Sequence, residues 1–475
     1  MRRFAALLAA ALLIPAAASE AQELGNPGPD YVTSDNVEYL GSLKFDVGQT
    51  TGAKIVGDKL YVTGAKNFSI YDISNPATPQ LEGTIHLNVA WENEEVPTNG
   101  KILGISSDWF AVGPTCNYID TNCLQFFDVR DPANIKELDS LPENGDHTST
   151  CLLDCSYFYG SAGSITDARA LLDGGEAKDL GSWFTPITAQ LRAQGALAAN
   201  KSISCHHVRE IRPGLIMGAC NPFVLMSITP EEGGGSITEP KLLAWGDNAD
   251  KRFVHSVRWP RAGTDKFAFQ GGETNFPAPL GEGQCNTTTT AAFDVLDTSK
   301  VQSDGKFTPL GPESEYRPKN GVYADGNTPV TVAGCSVHWF EEHPSFHDGG
   351  LVALAAYDNG TRFLQVAPDG KVTEQGYFQP IGLETSSPKW VPGTNIVYSI
   401  DYMRGIDILR WKGDTYVPNA AGKVVHRRGK VRGTNGAQPV LPALTKRQLA
   451  LGVKQDKALR AQGWFPGYCQ LIANR

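Results

Sequence analysis

The chain has 475 residues, of which 50 are glycine and 30 are proline, and few of its segments have helical periodicity. This composition favours one large all-β domain over several small domains. The formal net charge of −9 argues against a general nucleic-acid-binding protein.

The N-terminal residues have the pattern of a secretory signal. Arg2 and Arg3 precede an Ala/Leu run that reaches about Ala18, and small residues follow at the expected cleavage site. We therefore predict a signal peptide over residues 1–22 and a periplasmic or extracellular mature protein. No later apolar run approaches the roughly 20 residues of a membrane span, so no transmembrane segment is expected.

A pair of short apolar segments, separated by a polar turn, recurs seven times along the chain. The pairs are 60–62 with 69–73, 110–112 with 125–129, 157–159 with 164–167, 215–217 with 224–226, 267–269 with 292–295, 351–354 with 362–366, and 396–398 with 406–408. Paired strands at this interval are typical of propeller blades. The sequence therefore predicts an all-β, seven-bladed β-propeller over residues 37–411.

The two ends of the predicted propeller complement each other. No clear outer strand follows Trp411 in the last copy, whereas residues 37–43 have the outer-strand pattern. We predict that this N-terminal strand pairs with the last blade and closes the ring, because an unpaired sheet edge invites aggregation.

Residues 412–475 form a basic extension, with twelve Lys/Arg against Asp414 and Asp456, and a helix is predicted near 445–462. The extension is expected either to lie on the acidic body or to meet a separate anionic partner.

Two copies carry a more specific pattern, in which a strand ending hydrophobic-Asp-hydrophobic runs into a turn that contains proline. They are residues 61–76 and 126–132. These segments resemble LVIVD-type repeats; the likeness is partial in the other copies and absent from the tail. The resemblance implies a secreted β-propeller and no particular reaction.

All nine cysteines follow the predicted signal peptide, in a compartment where disulfides persist. Their places in the repeat predict three bridges, namely Cys116 with Cys123, Cys205 with Cys220, and Cys151 with Cys155. A bridge between Cys285 and Cys335 is favoured among the remaining three, and the odd thiol, Cys469 in that case, is free or intermolecular.

Histidines recur just before the inner strand of successive copies. The residues at or near this repeat position are His147, His206, His207, His255, Cys335, His338 and Glu384. Equivalent positions of propeller inner strands converge on the axis. The sequence thus predicts a cluster at one mouth of the channel, on the face that carries the long turns 112–124 and 270–291.

Imidazoles held by separate strands suit a transition metal such as copper, zinc or iron. We predict His147, His206, His255 and His338 as metal ligands, with His207, Cys335 and Glu384 as secondary candidates. Strand alternation predicts that His206 and His207 point to opposite faces. Two alternatives to metal binding are open for these histidines. They could transfer protons, or they could have the purely structural role of filling the channel.

Arg209, Arg258 and Lys389 share a second repeat position. They are predicted either to contact an anion or to pair with acidic residues of a neighbouring blade.

Two functions follow from these patterns. The first is a metal-dependent oxidoreductase or lyase acting on a small molecule; in architecture and histidine content the chain is similar to selenium-binding, methanethiol oxidase-type propellers, and a lyase would resemble streptogramin lyase-like propellers. No long motif is shared, so no substrate is implied. The second is a non-catalytic scaffold that binds a protein or glycan through its channel-face loops. The pattern predicts neither the oligomeric state nor the substrate.

Overall fold

The computed structural model describes residues 31–43, 50–64, 67–87, 94–107, 123–246, 254–273, 292–318, 337–357, 359–380, 384–402, 404–421, 423–430, 446–447, 450 and 454. Several predictions fall outside the described residues. They concern the signal peptide, Cys116, Cys285, Cys335, Cys469 and most of the turns 112–124 and 270–291.

Seven antiparallel sheets follow one another along the chain and form the blades of a seven-bladed β-propeller, which confirms the predicted fold. Blade 1 contains Thr50–Val56, Lys59–Gly64, Asn67–Asp72 and Gln80–His86; blade 2 contains Ile102–Ser107, Cys123–Asp128 and Lys136–Pro142; blade 3 contains Ser149–Leu152, Tyr157–Gly160, Ser164–Asp167 and Lys178–Ser182. Apart from N-terminal strands at the outer edges of blades 6 and 7, the strands of each blade follow chain order from the inside outwards.

The remaining four blades have the same plan. Blade 4 contains Ser204–Arg212, Leu215–Asn221, Phe223–Ser227 and Lys241–Gly246; blade 5 contains Val254–Arg258, Phe267–Gly272, Phe293–Asp297, Thr308–Pro309 and Glu315–Tyr316; blade 6 contains Phe340–Glu342, Gly350–Ala355, Thr361–Val366 and Val372–Pro380; blade 7 contains Thr385–Trp390, Ile396–Asp401 and Gly405–Trp411. Apolar side chains from adjacent blades pack together, and these interblade clusters form the core.

The N-terminal strand closes the ring as predicted. Val37–Leu43 pairs antiparallel with Gly405–Trp411 and supplies the outer strand of blade 7. A second N-terminal strand, Tyr31–Thr33, pairs with Val372–Pro380 at the outer edge of blade 6. The sequence analysis missed this strand because three residues are too few to show a periodic pattern.

Blade 2 differs from the prediction. The strand that pairs with Cys123–Asp128 is Ile102–Ser107, and residues 110–112, where this strand was predicted, lie outside the described residues. The described residues 94–101 precede it and are joined to it by a bridge between Thr98 and Leu103. This segment takes the inner position of the blade without forming a regular strand.

Helices are few and short in the described chain. Phe184–Ala193 follows blade 3 and buries Ile187 and Leu191 in the core between blades 3 and 4. Val301–Asp304 is a single helical turn, and Pro260–Gly263 is a turn in which Arg261 and Ala262 have left-handed backbone angles. Within the described residues, no helix has both the length and the apolar character needed to cross a membrane.

The C-terminal extension begins with a hairpin of Thr415–Pro418 and Val424–Arg427. Of the helix predicted at 445–462, only residues 446, 447, 450 and 454 are described, and these are helical.

Two of the predicted cysteine pairs lie at disulfide distance. Cys205 and Cys220 face each other on adjacent strands of blade 4, with Cα atoms 3.8 Å apart, and the Cα atoms of Cys151 and Cys155 are 4.5 Å apart across a turn. Cys123 is also disulfide-bonded, while Cys116, its predicted partner, lies outside the described residues.

Candidate metal centre

A β-bulge recurs near the start of the innermost strand in four blades. The pairing register shifts by one residue around Thr51, His206, His255 and Ser386. A bulge inserts one extra residue into a strand and changes the direction of the side chains beside it. The repeated bulge therefore gives these four residues equivalent positions around the axis.

Hydrogen bonds from strand to strand tie this part of the ring together. The bonded pairs are Thr148 Oγ1 with the His206 carbonyl at 2.6 Å, His206 Nδ1 with the His255 carbonyl at 3.0 Å, Ser256 Oγ with the His338 carbonyl at 2.9 Å, His338 Nδ1 with the Ser386 carbonyl at 2.7 Å, and Ser386 Oγ with the Thr51 carbonyl at 2.9 Å. The bonds fix the heights of the inner strands relative to one another, so the side chains at this level meet at the axis.

Glu94 of blade 2 lies among the predicted histidine ligands. Its carboxylate oxygens are 2.9 Å from Nε2 of His338, 3.4 Å from Nε2 of His255 and 3.5 Å from Nε2 of His206. The ring of His147, from blade 3, packs at 4.9 Å from the ring of His206. These five buried residues are called the Glu94 cluster below.

The Glu94 cluster contains two sets of three donors that share Glu94. One set adds His255 and His338, and the other adds His147 and His206; within each set the ligand atoms lie within 4.8 Å of one another. Bonds of about 2 Å place the donors of one ion about 3–4 Å apart, so each set would close in by up to about 1–2 Å around an ion. Imidazole and carboxylate donors suit zinc, copper and iron, so the residues present fit a transition metal.

Backbone carbonyls orient two of the rings. His206 and His338 each place Nδ1 at a carbonyl oxygen, so a proton on Nδ1 donates to that oxygen and Nε2 is directed to Glu94. Metal-binding histidines usually donate the second ring N–H in this way, which fixes the tautomer and the ring angle.

Burial and charge set the protonation of the Glu94 cluster. Burial lowers the pKa of His206 well below its usual range and lowers the pKa of His255 to about 3, so both imidazoles are neutral ligands at pH 7. Burial also opposes charge on His338 and Glu94, but their mutual attraction prevails: the pKa of His338 is raised and the pKa of Glu94 is well below its ordinary value. The cluster thus favours positive charge beside the Glu94 carboxylate.

Two aromatic residues hold the Glu94 carboxylate in place. The Tyr402 hydroxyl donates to Oε1 at 2.6 Å, and the Trp339 indole N–H donates to Oε2 at 3.0 Å. The sequence analysis missed Glu94 because the inner segment of blade 2 lacks the apolar pattern of a strand. Its position before the second repeat, equivalent to that of the histidines, was the available signal.

His207 does not take the direction that strand alternation predicts. The bulge in blade 4 lets His206 and His207 both place Nδ1 at the His255 carbonyl, at 3.0 and 2.9 Å. The His207 ring packs 4.6 Å from the Trp339 ring, and His207 belongs to neither donor set.

The other secondary candidates belong to neither donor set. Glu384 is buried before the inner strand of blade 7, where its carbonyl accepts from the Tyr402 N–H at 3.0 Å. Arg209 forms an ion pair with Glu95, and Arg258 pairs with acidic residues of blade 6. The structure thus favours the ion-pair alternative for both arginines, while Cys335 lies outside the described residues.

A further buried acid lies beside the Glu94 cluster. Glu273 accepts a hydrogen bond of 2.6 Å from the Tyr357 hydroxyl, and the Tyr357 ring is 4.5 Å from the ring of His338. Burial raises the pKa of Glu273 to about 7. No sequence pattern pointed to this residue, since it follows the second strand of blade 5 and reaches the site only through the fold.

No family model matches the chain, and no curated protein sequence matches it. Among solved structures, it is similar to the Cps50 (Swd1) β-propeller domain of Myceliophteria thermophila, with 10% identity, a TM-score of 0.46, and coverage of 79% of this chain and 99% of the other. It is also similar to U3-55K, with 8% identity, a TM-score of 0.47, and coverage of 79% and 99%, and to the RRP9 WD40 repeats, with 8% identity, a TM-score of 0.47, and coverage of 80% and 99%. The likeness is one of fold alone, and the assignment of seven blades rests on the strand pairing in this chain.

Proposed function

We propose that the protein binds a transition metal ion in the Glu94 cluster. The observation that carries the proposal is the convergence of four imidazoles and one carboxylate, all buried and supplied by blades 2 to 6. Independent strands can hold ligands in fixed directions, which a metal site requires. Histidines that only fill the channel would need hydrogen-bond partners, but their side chains would not have to converge on one point.

We further propose that the metal serves as a redox or Lewis-acid centre for a small molecule. Copper or iron would support an oxidoreductase, whereas zinc would support a lyase. Tyr402 and Trp339 would hold the Glu94 carboxylate in place, and the neutral imidazoles of His206 and His255 would be ready to coordinate without first losing a proton.

We also propose that the protein works outside the cytoplasm. The two cysteine pairs at disulfide distance are consistent with an oxidising compartment. The signal-peptide pattern of residues 1–22 supports the same location.

Elemental analysis of the protein purified from its native compartment tests the proposal. We expect stoichiometric copper, zinc or iron in the natural protein, and loss of that metal in Glu94→Gln and in a His206→Ala, His255→Ala double variant. His343→Ala is the matched control, because His343 is also buried in the propeller and bonds to Ser345 and Thr394 outside the cluster. The identity of the ion then separates the two kinds of enzyme.

A metal-free protein whose stability does not change when these ions are added would refute metal binding and favour the non-catalytic scaffold. Retention of metal by the double variant at the level of the control would show that the ion binds elsewhere.

A further inference from the structure

The inner strands carry two layers of polar side chains. The first contains the histidines of the Glu94 cluster, and the second lies three residues further along each strand. The members of the second layer are Lys54, Thr150, Arg209, Arg258, Glu341 and Lys389, each three positions after a residue of the first layer, which consists of Thr51, His147, His206, His255, His338 and Ser386. In blades 1, 4, 5 and 7 the spacing is three because the bulge adds one residue to the ordinary two-residue alternation. Glu95 of blade 2 joins this layer through its ion pair with Arg209. We call these seven residues the charged layer.

Trp339 separates the two layers of the channel. Its indole N–H donates to Glu94, its ring packs against His207, and the Lys389 ammonium lies 6.0 Å from the ring centroid. The charged layer is therefore distinct from the Glu94 cluster. Most of its residues line an open pocket of about 370 Å³, a volume within the range of small-molecule sites.

The carboxylates that line this pocket are already engaged. Glu95 pairs with Arg209, and Glu210 accepts from the backbone N–H groups of Leu153 and Gly214. Glu341 pairs with Arg258 and accepts from the Trp390 N–H, while Asp154 pairs with Lys101. Their negative charge is thus matched by donors from the protein itself.

Several cationic and polar donors at the pocket are not matched. Lys54 and Lys389 form no hydrogen bond or ion pair with any residue in the described part of the chain, although Lys389 is only 7% exposed. Arg209 Nε and Ser149 Oγ are buried and have no hydrogen-bond partner among the described residues. A buried donor without an acceptor costs about 1–3 kcal/mol. Arg209 Nε and Ser149 Oγ are two such donors, and two lysines that lack an acceptor among the described residues line the same pocket, which points to an acceptor from outside.

We propose that this pocket binds a small oxyanion, the carboxylate or sulfate-like group of a small molecule, between Lys54 and Lys389. The two lysines belong to neighbouring blades, since Ser386 Oγ, three residues before Lys389, donates to the Thr51 carbonyl, three residues before Lys54. Arg209 and Ser149 line the same pocket. Burial lowers the pKa of Lys54 to about 8 and also lowers the pKa of Lys389, as expected for cations that lack a matched acceptor.

Calorimetric titration of the full-length mature protein with sulfate and with succinate, at pH 7 and low chloride, tests the proposal. We expect saturable binding of at least one of the two anions, with affinity at least tenfold lower in Lys54→Met and in Lys389→Met. Lys101→Met is the matched control, because it removes the same charge beside the pocket from a lysine already paired with Asp154. Thermal unfolding of each variant checks its fold, and Lys54→Met carries the test alone if the more buried Lys389→Met does not fold.

The proposal is wrong if neither anion binds, or if both lysine variants bind as tightly as the control. The titration is repeated after treatment with a chelator. Unchanged binding is expected, because none of the pocket donors belongs to the Glu94 cluster; binding that disappears with the metal would overturn the assignment to the charged layer.

Discussion

Closure of the ring by the N-terminal strand predicts a large effect of Leu43→Ala. Leu43 is 1% exposed at the end of the closing strand and packs with Ile400, Ile406 and Ile408 in the core between blades 7 and 1. Removal of its side chain leaves a cavity at the seam where the two ends of the propeller meet.

The expected cost follows from this burial. A fully buried Leu→Ala change costs about 2–5 kcal/mol, and about 3 kcal/mol corresponds to more than a hundredfold in the unfolding equilibrium constant. Leu81→Ala is the matched control: Leu81 lies on the outer strand of blade 1 and is 41% exposed, so its truncation should cost about 0.5 kcal/mol or less.

Urea unfolding followed by tryptophan fluorescence measures the difference. Leu43→Ala should unfold at clearly lower urea than Leu81→Ala with the same slope, because only the first variant weakens the seam. Equal midpoints would refute the reasoning, since they would mean that the N-terminal strand contributes nothing to the core of blade 7.

Three further predictions concern the site and its surroundings. Tyr402→Phe should lower the free energy of unfolding by about 2 kcal/mol and Tyr398→Phe by about 1 kcal/mol. The difference is expected because Tyr402 donates to the Glu94 carboxylate, whereas Tyr398 donates to the neutral Pro76 carbonyl. Equal losses in urea unfolding would contradict a charged Glu94. Replacing Cys205 and Cys220 by serine should lower the free energy of unfolding by about 3 kcal/mol, and replacing Cys151 and Cys155 should lower it by about 2 kcal/mol. The difference arises because the two disulfides close loops of 15 and 4 residues. Reductant should abolish both differences from the natural protein. Sulfate affinity should fall about tenfold between pH 7 and 9, because Lys54, whose pKa is about 8, loses its proton in this range, and Lys389 acts in the same direction. Glu95, whose pKa is about 2, stays charged throughout, and Glu210 and Arg209 are the other charged groups beside the lysines. A flat calorimetric profile would exclude Lys54 from the anion site.

Much of the Glu94 cluster was predictable from the repeat. His147, His206, His255 and His338 stand near one repeat position, and the symmetry of a propeller brings such positions together without any detail of packing. Glu94 was not predictable in the same way, because the sequence around it lacks the apolar pattern of a strand. Only the position of blade 2 between its neighbours places that carboxylate among the histidines.

The interactions of the charged layer were also only partly predictable from the sequence. Arg209, Arg258 and Lys389 share one repeat position, which is visible in the sequence. That position is compatible either with ion pairs between blades or with a bound anion. The structure gives Arg209 and Arg258 acidic partners, while Lys389 has no ion-pair partner among the described residues. That outcome depends on which side chains of neighbouring blades come within reach, a property that no single strand encodes.

The sequence by itself determined the seven blades, the closing strand and the common position of the histidines, because apolar alternation and repeat spacing are local patterns that propagate through the ring. The tertiary structure alone decided the direction of each side chain at the axis. A bulge shifts the register by one residue and reverses the faces that simple alternation would predict, so His206 and His207 both reach the His255 carbonyl. The register, and with it the geometry of both channel layers, is set by hydrogen bonds between blades that are distant in sequence.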